Sequence, residues 1–232
     1  TSLSASGLAG QVMFLINVMF FGLNSALTIL ASQYWGKKDV KVISKILGIG
    51  LIIAMIVTVS FSAAAFFIPR HVMWIWTDDP ELIAAGARYL RFVAPSYIFL
   101  GLFQPYLTIL KSCERVVFST VTSTAALFIN VIFNYLLIFG HGPFPEMGIE
   151  GAAIATSISC GSGALICLID FLRQKVLPKS LRVMFGIPRA LVADFFKYSL
   201  PAFVNDVMWG LAFTVNSIIM GHLGSDIVAA NA

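Results

Sequence analysis

The residue with the most chemical potential is Asp206, the one charged side chain between positions 198 and 225. It follows Pro201 and sits roughly 10 Å beyond the start of its apolar run, counted at ~1.5 Å per helical residue. Apolar surroundings raise a carboxylic acid's pKa toward neutrality. Such a group can load and release a proton, or bind a cation together with the amide of Asn205. The competing reading is an acid whose carboxylate reaches polar surroundings at the end of the run. Asn130 and Asn134 are spaced four apart and share one helix face. Two carboxamides there offer donors and acceptors to a ligand, to a cation or to a neighbouring helix.

Other polar and special residues fall inside apolar runs. Gln104, beside Pro105, is a candidate cavity-lining amide. Trp209, one turn from Asn205, can stack on a cation or pack against a neighbour. Pro95, Pro105 and Pro201 each remove a backbone donor and can kink a helix, as hinges or as fixed bends. Gly151, Ala155, Ser159 and Gly163 recur every four residues, a small-residue stripe that lets helices approach closely. Trp35, Trp74 and Trp76 lie at the ends of runs, where interfacial anchors belong. His71, His141 and His222 share no metal spacing, and Cys113, Cys160 and Cys167 form neither a disulfide framework nor a CxxC pair. No HExxH, P-loop or GxSxG string occurs, so the parts of a metalloprotease, an ATP-driven pump or a hydrolase are missing.

These residues must be held by elements that suit a very apolar chain. Of the 232 residues 59% are hydrophobic and 11% charged, with a mean hydropathy of +0.91. A water-soluble domain could not hide that surface; disordered, coiled-coil and nucleic-acid-binding classes need a more polar chain. Residues 1–36, 46–69, 92–110, 116–145 and 151–169 contain no Asp, Glu, Lys or Arg, and 198–225 contains only Asp206. A bilayer core takes ~20 apolar residues of helix, and continuous runs do not suit a barrel's alternating strands. The pattern predicts an all-α, polytopic transmembrane helix bundle with spans near 8–34, 43–68, 90–110, 116–140, 150–172 and 198–221.

Lys and Arg set the expected orientation. Twelve of the 15 lie after the first, third and fifth spans, near 37–45, 111–115 and 173–197. Those loops are expected to be cytoplasmic and both chain ends outside. An outside start at Thr1-Ser2-Leu3, with no charged leader, and a stop at 222–232 without a basic anchor read as a piece of a longer polytopic chain. Laying 225–232 over 1–8 keeps Ile227 with Leu3 and Ala229 with Ala5, a faint echo of a repeat, and two such halves are common in transporters.

Several strings resemble one family. Ala31-Ser-Gln-Tyr-Trp-Gly-Lys-Lys-Asp39, Thr77-Asp-Asp-Pro-Glu81 before Tyr89-Leu90, Asn130-Val-Ile-Phe-Asn134 through Gly140, Met147 through Thr156, and Leu200-Pro201 with Asn205-Asp206-Val-Met-Trp209 are similar to the multidrug and toxic compound extrusion (MATE) transporters. The resemblance implies twelve helices in two six-helix lobes, of which this chain carries helices two to seven. It further implies 1–172 as part of the N-terminal lobe, 173–197 as a cytoplasmic inter-lobe linker with an amphipathic lead-in, and 198–232 as the start of the C-terminal lobe. In members with a described N-lobe proton site an Asn and an Asp occupy the fifth-helix pattern; here Asn130 matches the Asn, and Asn134 stands where the Asp would be.

The function expected from residues and resemblance is secondary antiport. Organic, cationic or amphiphilic compounds would leave in exchange for H+ or Na+ by alternating access. Asp206 and Asn205 would couple the ion, Asn130, Asn134, Gln104 and Trp209 would line the cavity, and Pro95, Pro105 and Pro201 would act as hinges. No enzyme activity, cofactor, metal or nucleic-acid partner is expected. The partners are a small-molecule substrate and the lipid bilayer of the plasma membrane, and the resemblance implies a monomer. A lipid-linked saccharide flippase of related architecture is the alternative, although it would need basic residues inside the spans; a membrane-embedded enzyme lacks paired catalytic groups.

Overall fold

In a computed structural model of the protein, helices form wherever the charge-free stretches lie. The structure describes residues 2–75, 77, 79–140, 145–174, 176–178 and 180–223, and only the backbone of 2–6, 8, 206, 207, 210, 211 and 213–223. Among the described residues the elements are α1 (Ser2–Gly36), α2 (Val40–Phe67), α3 (Pro69–Trp74), α4 (Pro80–Ser112), α5 (Val116–Phe139), α6 (Gly148–Arg173), α7 (Leu181–Phe185) and α8 (Arg189–Leu223). Residues 9–36 of α1, and α2, α4, α5 and α6, are each long and apolar enough to cross a membrane. Helix α8 runs through the expected 198–221 span, with most side chains of its later turns outside the described set.

The helix ends have local causes. Asp79 accepts a hydrogen bond from the Glu81 amide at 2.9 Å, and Pro80 opens α4; that combination of cap and N1 proline starts the helix ten residues ahead of the expected span at 90. The turns after α1 and after α4 share one design. Lys38 (φ 57°) and Glu114 (φ 63°) are left-handed, while Asp39 N–H donates to Tyr34 O at 3.0 Å and Arg115 N–H to Leu110 O at 2.9 Å. This is a Schellman closure, and the residue that completes it also stands at the N-cap position of the next helix: Asp39 caps α2 through its carboxylate, and Arg115 opens α5 without a side-chain cap. Both positions prefer glycine. After α5 the same job falls to Gly140 (φ 66°), where an added Cβ would strike the Glu146 backbone at 2.7 Å.

Helix α4 is the axis of the bundle, packed by α1, α2 and α6; α5 leans on α6, and α8 lies along α1. Glycines permit the tightest crossings. A Cβ on Gly101 would collide with the Thr58 hydroxyl of α2, and one on Gly22 would meet the Phe203 Cβ of α8 at 2.7 Å. The small stripe of α6 faces inward, with Gly151, Ala155, Ser159 and Gly163 all buried. There Ser159 Oγ donates to Ala126 O of α5 at 2.6 Å. Around Pro95, carbonyls of α4 accept from its neighbours, Ala94 O from Ser62 Oγ at 2.8 Å and Phe92 O from Ser157 Oγ at 2.9 Å. Helix α4 continues through both Pro95 and Pro105, as α8 does through Pro201.

Between α6 and α8 the chain is pinned to the bundle instead of lying free on its surface. Gln174 closes the turn through its own side chain, accepting from Val176 N–H at 2.6 Å and Leu177 N–H at 2.7 Å. Ser44 Oγ of α2 donates to Pro178 O at 3.3 Å, and α7 sets the Met184 carbonyl against Gly48. The amphipathic lead-in at 191–197 forms the first turns of α8, with Leu191 and Phe195 buried one turn apart.

Candidate functional site

The fourfold spacing of Asn130 and Asn134 on α5 produces a directed hydrogen-bond relay. Asn134 Nδ2 donates to Asn130 Oδ1 at 2.9 Å, and Asn130 Nδ2 donates to Thr156 Oγ1 of α6 at 3.5 Å. The Thr156 hydroxyl then donates to Ala152 O at 2.9 Å. The middle link crosses from α5 to α6, and the outer two run along their own helices, each donating in the same sense. The relay therefore ends at an acceptor, Asn134 Oδ1, which is buried and has no hydrogen-bond partner among the described residues. A buried amide oxygen left unpaired costs about 1–3 kcal/mol, so this one is suited to a hydrogen-bond donor or a cation.

A second polar contact joins α1 to α4. The Thr108 hydroxyl is shared between Asn24 Oδ1 at 2.9 Å and Gln104 O at 3.1 Å. Gln104 is half-buried on the same turn. The bond to Gln104 is to its backbone carbonyl and leaves its carboxamide out of this contact. In α8, Asn205 and Trp209 are exposed; Asp206 is helical by its backbone, and its side chain lies outside the described residues. Helix α8 has α1 as its main partner, whereas α5 has α6. The two Asn of α5 are brought together with each other and with Thr156, and among the described residues no hydrogen bond joins them to α8.

The strongest polar contact was hidden from sequence reading. Arg115, at the turn into α5, holds Asp170 near the end of α6 through Nη2–Oδ1 at 2.9 Å and Nη1–Oδ2 at 3.1 Å. The Tyr106 hydroxyl of α4 donates to Asp170 Oδ2 at 2.6 Å. Three helices are tied at one end, the end that carries Lys37, Lys38 and Lys111. Hydrogen bonding to Asp170 pushes the Arg115 guanidinium further up from its ordinary pKa. Nearby, burial pushes the Cys113 thiol up to about 11, against the lowering influence of Arg115. A signal for the pair did exist, since Asp170 and Arg115 border charge-free runs that meet at the same end of a hairpin. At the opposite end Arg88 reaches Glu150 at 3.6 Å, a solvated pair.

Trp35 is partly buried against the core and Trp74 is exposed. Trp76, His141 and the side chain of His222 lie outside the described residues. Among the described residues no three His, Cys, Asp or Glu side chains are grouped to hold a metal ion.

A family model described as MatE matches residues 1–136. The chain is 28% identical, over 237 residues, to a probable multidrug resistance protein NorM of Rhizobium meliloti (strain 1021), covering 100% of this chain and 50% of that protein. It is 26% identical over 213 residues to multidrug and toxin extrusion protein 1 of Oryctolagus cuniculus, covering 90% of this chain and 37% of that one. The solved structure of MATE in the bent conformation superposes with a TM-score of 0.85 at 20% identity, over 98% of this chain and 50% of that one. The chain thus spans about half the length of the curated relatives it matches. The match to the family model takes in more than half of the 232 residues, and the chain belongs to the MatE family.

Proposed function

We propose that these residues supply helices two to seven of a twelve-helix secondary antiporter, which exports organic, cationic or amphiphilic compounds in exchange for H+ or Na+ by alternating access. The observation that carries this reading is the relay ending at Asn134 Oδ1. An unpaired acceptor between two membrane helices is costly unless something binds there, and a cation or an N–H-bearing substrate satisfies it. The names of the relatives, a multidrug resistance protein and a multidrug and toxin extrusion protein, support the substrate class.

In this reading Asp206, with Asn205, couples transport to the ion. A carboxylate within the bilayer costs about 2.5–3.5 kcal/mol even on the lenient insertion scale. Protonation or a bound Na+ relieves that cost, so the loaded and empty helix prefer different surroundings. Asn130, Asn134 and Gln104 line the path, Trp209 stacks on substrate, and Pro95, Pro105 and Pro201 give the helices places to bend. Hydroxyls hold α4 carbonyls beside both of its prolines, Ser62 and Ser157 around Pro95 and Thr108 at Gln104. Residues 1–172 belong to one lobe, 173–197 link it to the next, and α8 begins the second. The basic loops face the cytoplasm across the plasma membrane, and the working unit is a monomer.

The flippase alternative loses support from the Arg115–Asp170 pair. The guanidinium at that span boundary is already committed to a carboxylate and has little left for a pyrophosphate. Efflux of a cationic dye from proteoliposomes containing the full-length protein, driven by an imposed H+ or Na+ gradient, tests the proposal. No flux under either gradient would refute it.

A further inference from the structure

We infer that the α5–α6 hairpin encloses one buried water molecule, held by the hydroxyls of Ser119 and Thr122 opposite Gly163. Among the described residues eight serines and threonines are buried. Six of them donate to a backbone carbonyl, as Thr58 does to Ala54 and Ser159 to Ala126. The other two are Ser119, 0% exposed, and Thr122, 2% exposed. Their hydroxyl oxygens have no hydrogen-bond partner among the described residues. These two exceptions are neighbours, three residues apart on one face of α5, and each unpaired buried hydroxyl costs about 1–3 kcal/mol unless something meets it.

The packing leaves room at the same place. Contacts along the hairpin keep one register: Arg115 meets Asp170, the Ala126 carbonyl meets Ser159, and Asn130 meets Thr156. Thr122 therefore falls opposite Gly163, a buried glycine of α6. Gly151, on the same small-residue stripe, is in tight contact, since an added Cβ would meet the Leu137 carbonyl of α5 at 2.6 Å. At Gly163 the nearest atoms to an added Cβ belong to the Phe103 ring of α4, at 3.7–3.8 Å. No atom of α5 comes closer. The gap beside Thr122 takes a methyl group, or a water molecule of ~30 Å³.

The chemistry selects water. Residues three apart on a helix have Cβ atoms ~5–6 Å from each other, and one water at ~2.7–2.8 Å from each oxygen bridges two such hydroxyls. Each hydroxyl brings one donor and two acceptor lone pairs, so the bridge forms in either sense. A buried water takes about three hydrogen bonds. The Arg115 carbonyl at the foot of α5 is the third partner at hand, because the bond it accepts from Ser119 N–H is long, at 3.4 Å. An ion does not suit the site. Arg115, one turn away, is already paired with Asp170, and two neutral hydroxyls do not offset the desolvation of a buried charge. The inference is independent of the proposed transport and of Asn134.

A methyl group in the gap tests it, through denaturant titration of the full-length protein in one detergent. Gly163→Ala is made in the parent and in a Ser119→Ala, Thr122→Val background that lacks both hydroxyls. Without the hydroxyls the methyl fills an empty space and alanine suits the helix better, so the folding equilibrium constant should rise about fivefold. In the parent the same methyl displaces the water and strands two hydroxyls, so the constant should fall by about fivefold or more. Failure of Gly163→Ala to fold in the parent alone has the same meaning. An equal gain in both backgrounds, or failure to fold in both, would overturn the inference. If the hydroxyl-free background does not fold, a structure of the full-length parent that resolves ordered water decides. One water within ~2.7–3.0 Å of both oxygens is expected; hydroxyls turned onto the carbonyls of their own helix, with no water between them, would overturn it.

Discussion

Arg115 and Asp170 meet in a two-pronged contact, at 2.9 and 3.1 Å, across 55 residues of sequence. The pair fixes where α5 begins against where α6 ends, and Tyr106 adds α4 to the same carboxylate. Because Arg115 also completes the Schellman turn from α4, its backbone is set before its side chain is used. Only the rotamer freedom of the side chains, about 1.5–2 kcal/mol for an arginine, remains to be lost when the ion pair closes.

Replacing Arg115 with Gln should destabilise the folded protein by about 2–3 kcal/mol, less than the ~3–5 kcal/mol of a fully buried pair, because its side chain is 30% exposed. Asp170→Asn should cost a similar amount and the double variant less than the sum. Denaturation melts of the four proteins in one detergent would check this; additive losses would show that the contact contributes nothing of its own.

The left-handed turns offer a gain in stability. Glu114→Gly should raise stability by about 1 kcal/mol, since a non-glycine residue there carries a penalty of ~1–2 kcal/mol. Glu114→Val should lower it, because a branched side chain tolerates that region worst. The order Gly above Glu above Val in melting temperature is the result to look for.

Gly101 sets the distance between α2 and α4. Gly101→Val should cost about 1–3 kcal/mol or more through overpacking, since even a single Cβ collides with Thr58. Pairing it with Thr58→Ala should recover part of the loss. A Gly101→Val variant as stable as the parent would mean that the helices do not approach so closely.

Cys113 gives a pH prediction. Its thiol is raised to about 11 from an ordinary 9.0 by burial, so the folded state holds this proton where the unfolded chain has released it. Its contribution to stability is therefore complete below pH 9 and is lost as pH rises toward 11. In a Cys160→Ala, Cys167→Ala background, maleimide should label the folded protein much more slowly than the unfolded one at pH 8, with labelling accelerating only as pH nears 11. Equal rates at pH 8 would contradict it.

Asn134 separates a binding role from a packing role. Asn134→Leu removes one unpaired acceptor, its own Oδ1, and leaves another, Asn130 Oδ1; the two offset, so stability should stay within about 1 kcal/mol of the parent, while ion-driven dye efflux falls. A large loss of stability would instead mark the relay as interhelical glue.

What could be read from sequence follows from the range of each interaction. Charge-free runs are local, and they locate the helix interiors without any pairing information. The ends moved where a cap or an adjoining amphipathic turn extended the helix: α4 back to Pro80 behind Asp79, and α8 back to Arg189 through its lead-in. Asn130 and Asn134 were legible because four-residue spacing guarantees a shared face. Thr156 joins them only through the packing of α5 on α6, and Asp170 meets Arg115 only through the same hairpin. Asn24 and Thr108, separated by 84 residues, carry no local signal at all.

Asp206 is the residue proposed to couple ion movement to efflux. The most direct measurement compares the full-length protein with its Asp206→Asn variant in proteoliposomes, following cationic dye under an imposed H+ gradient and then an Na+ gradient. Gradient-driven efflux is expected in the parent and none in the variant, with dye binding retained. Efflux at the parent's rate from Asp206→Asn would contradict it.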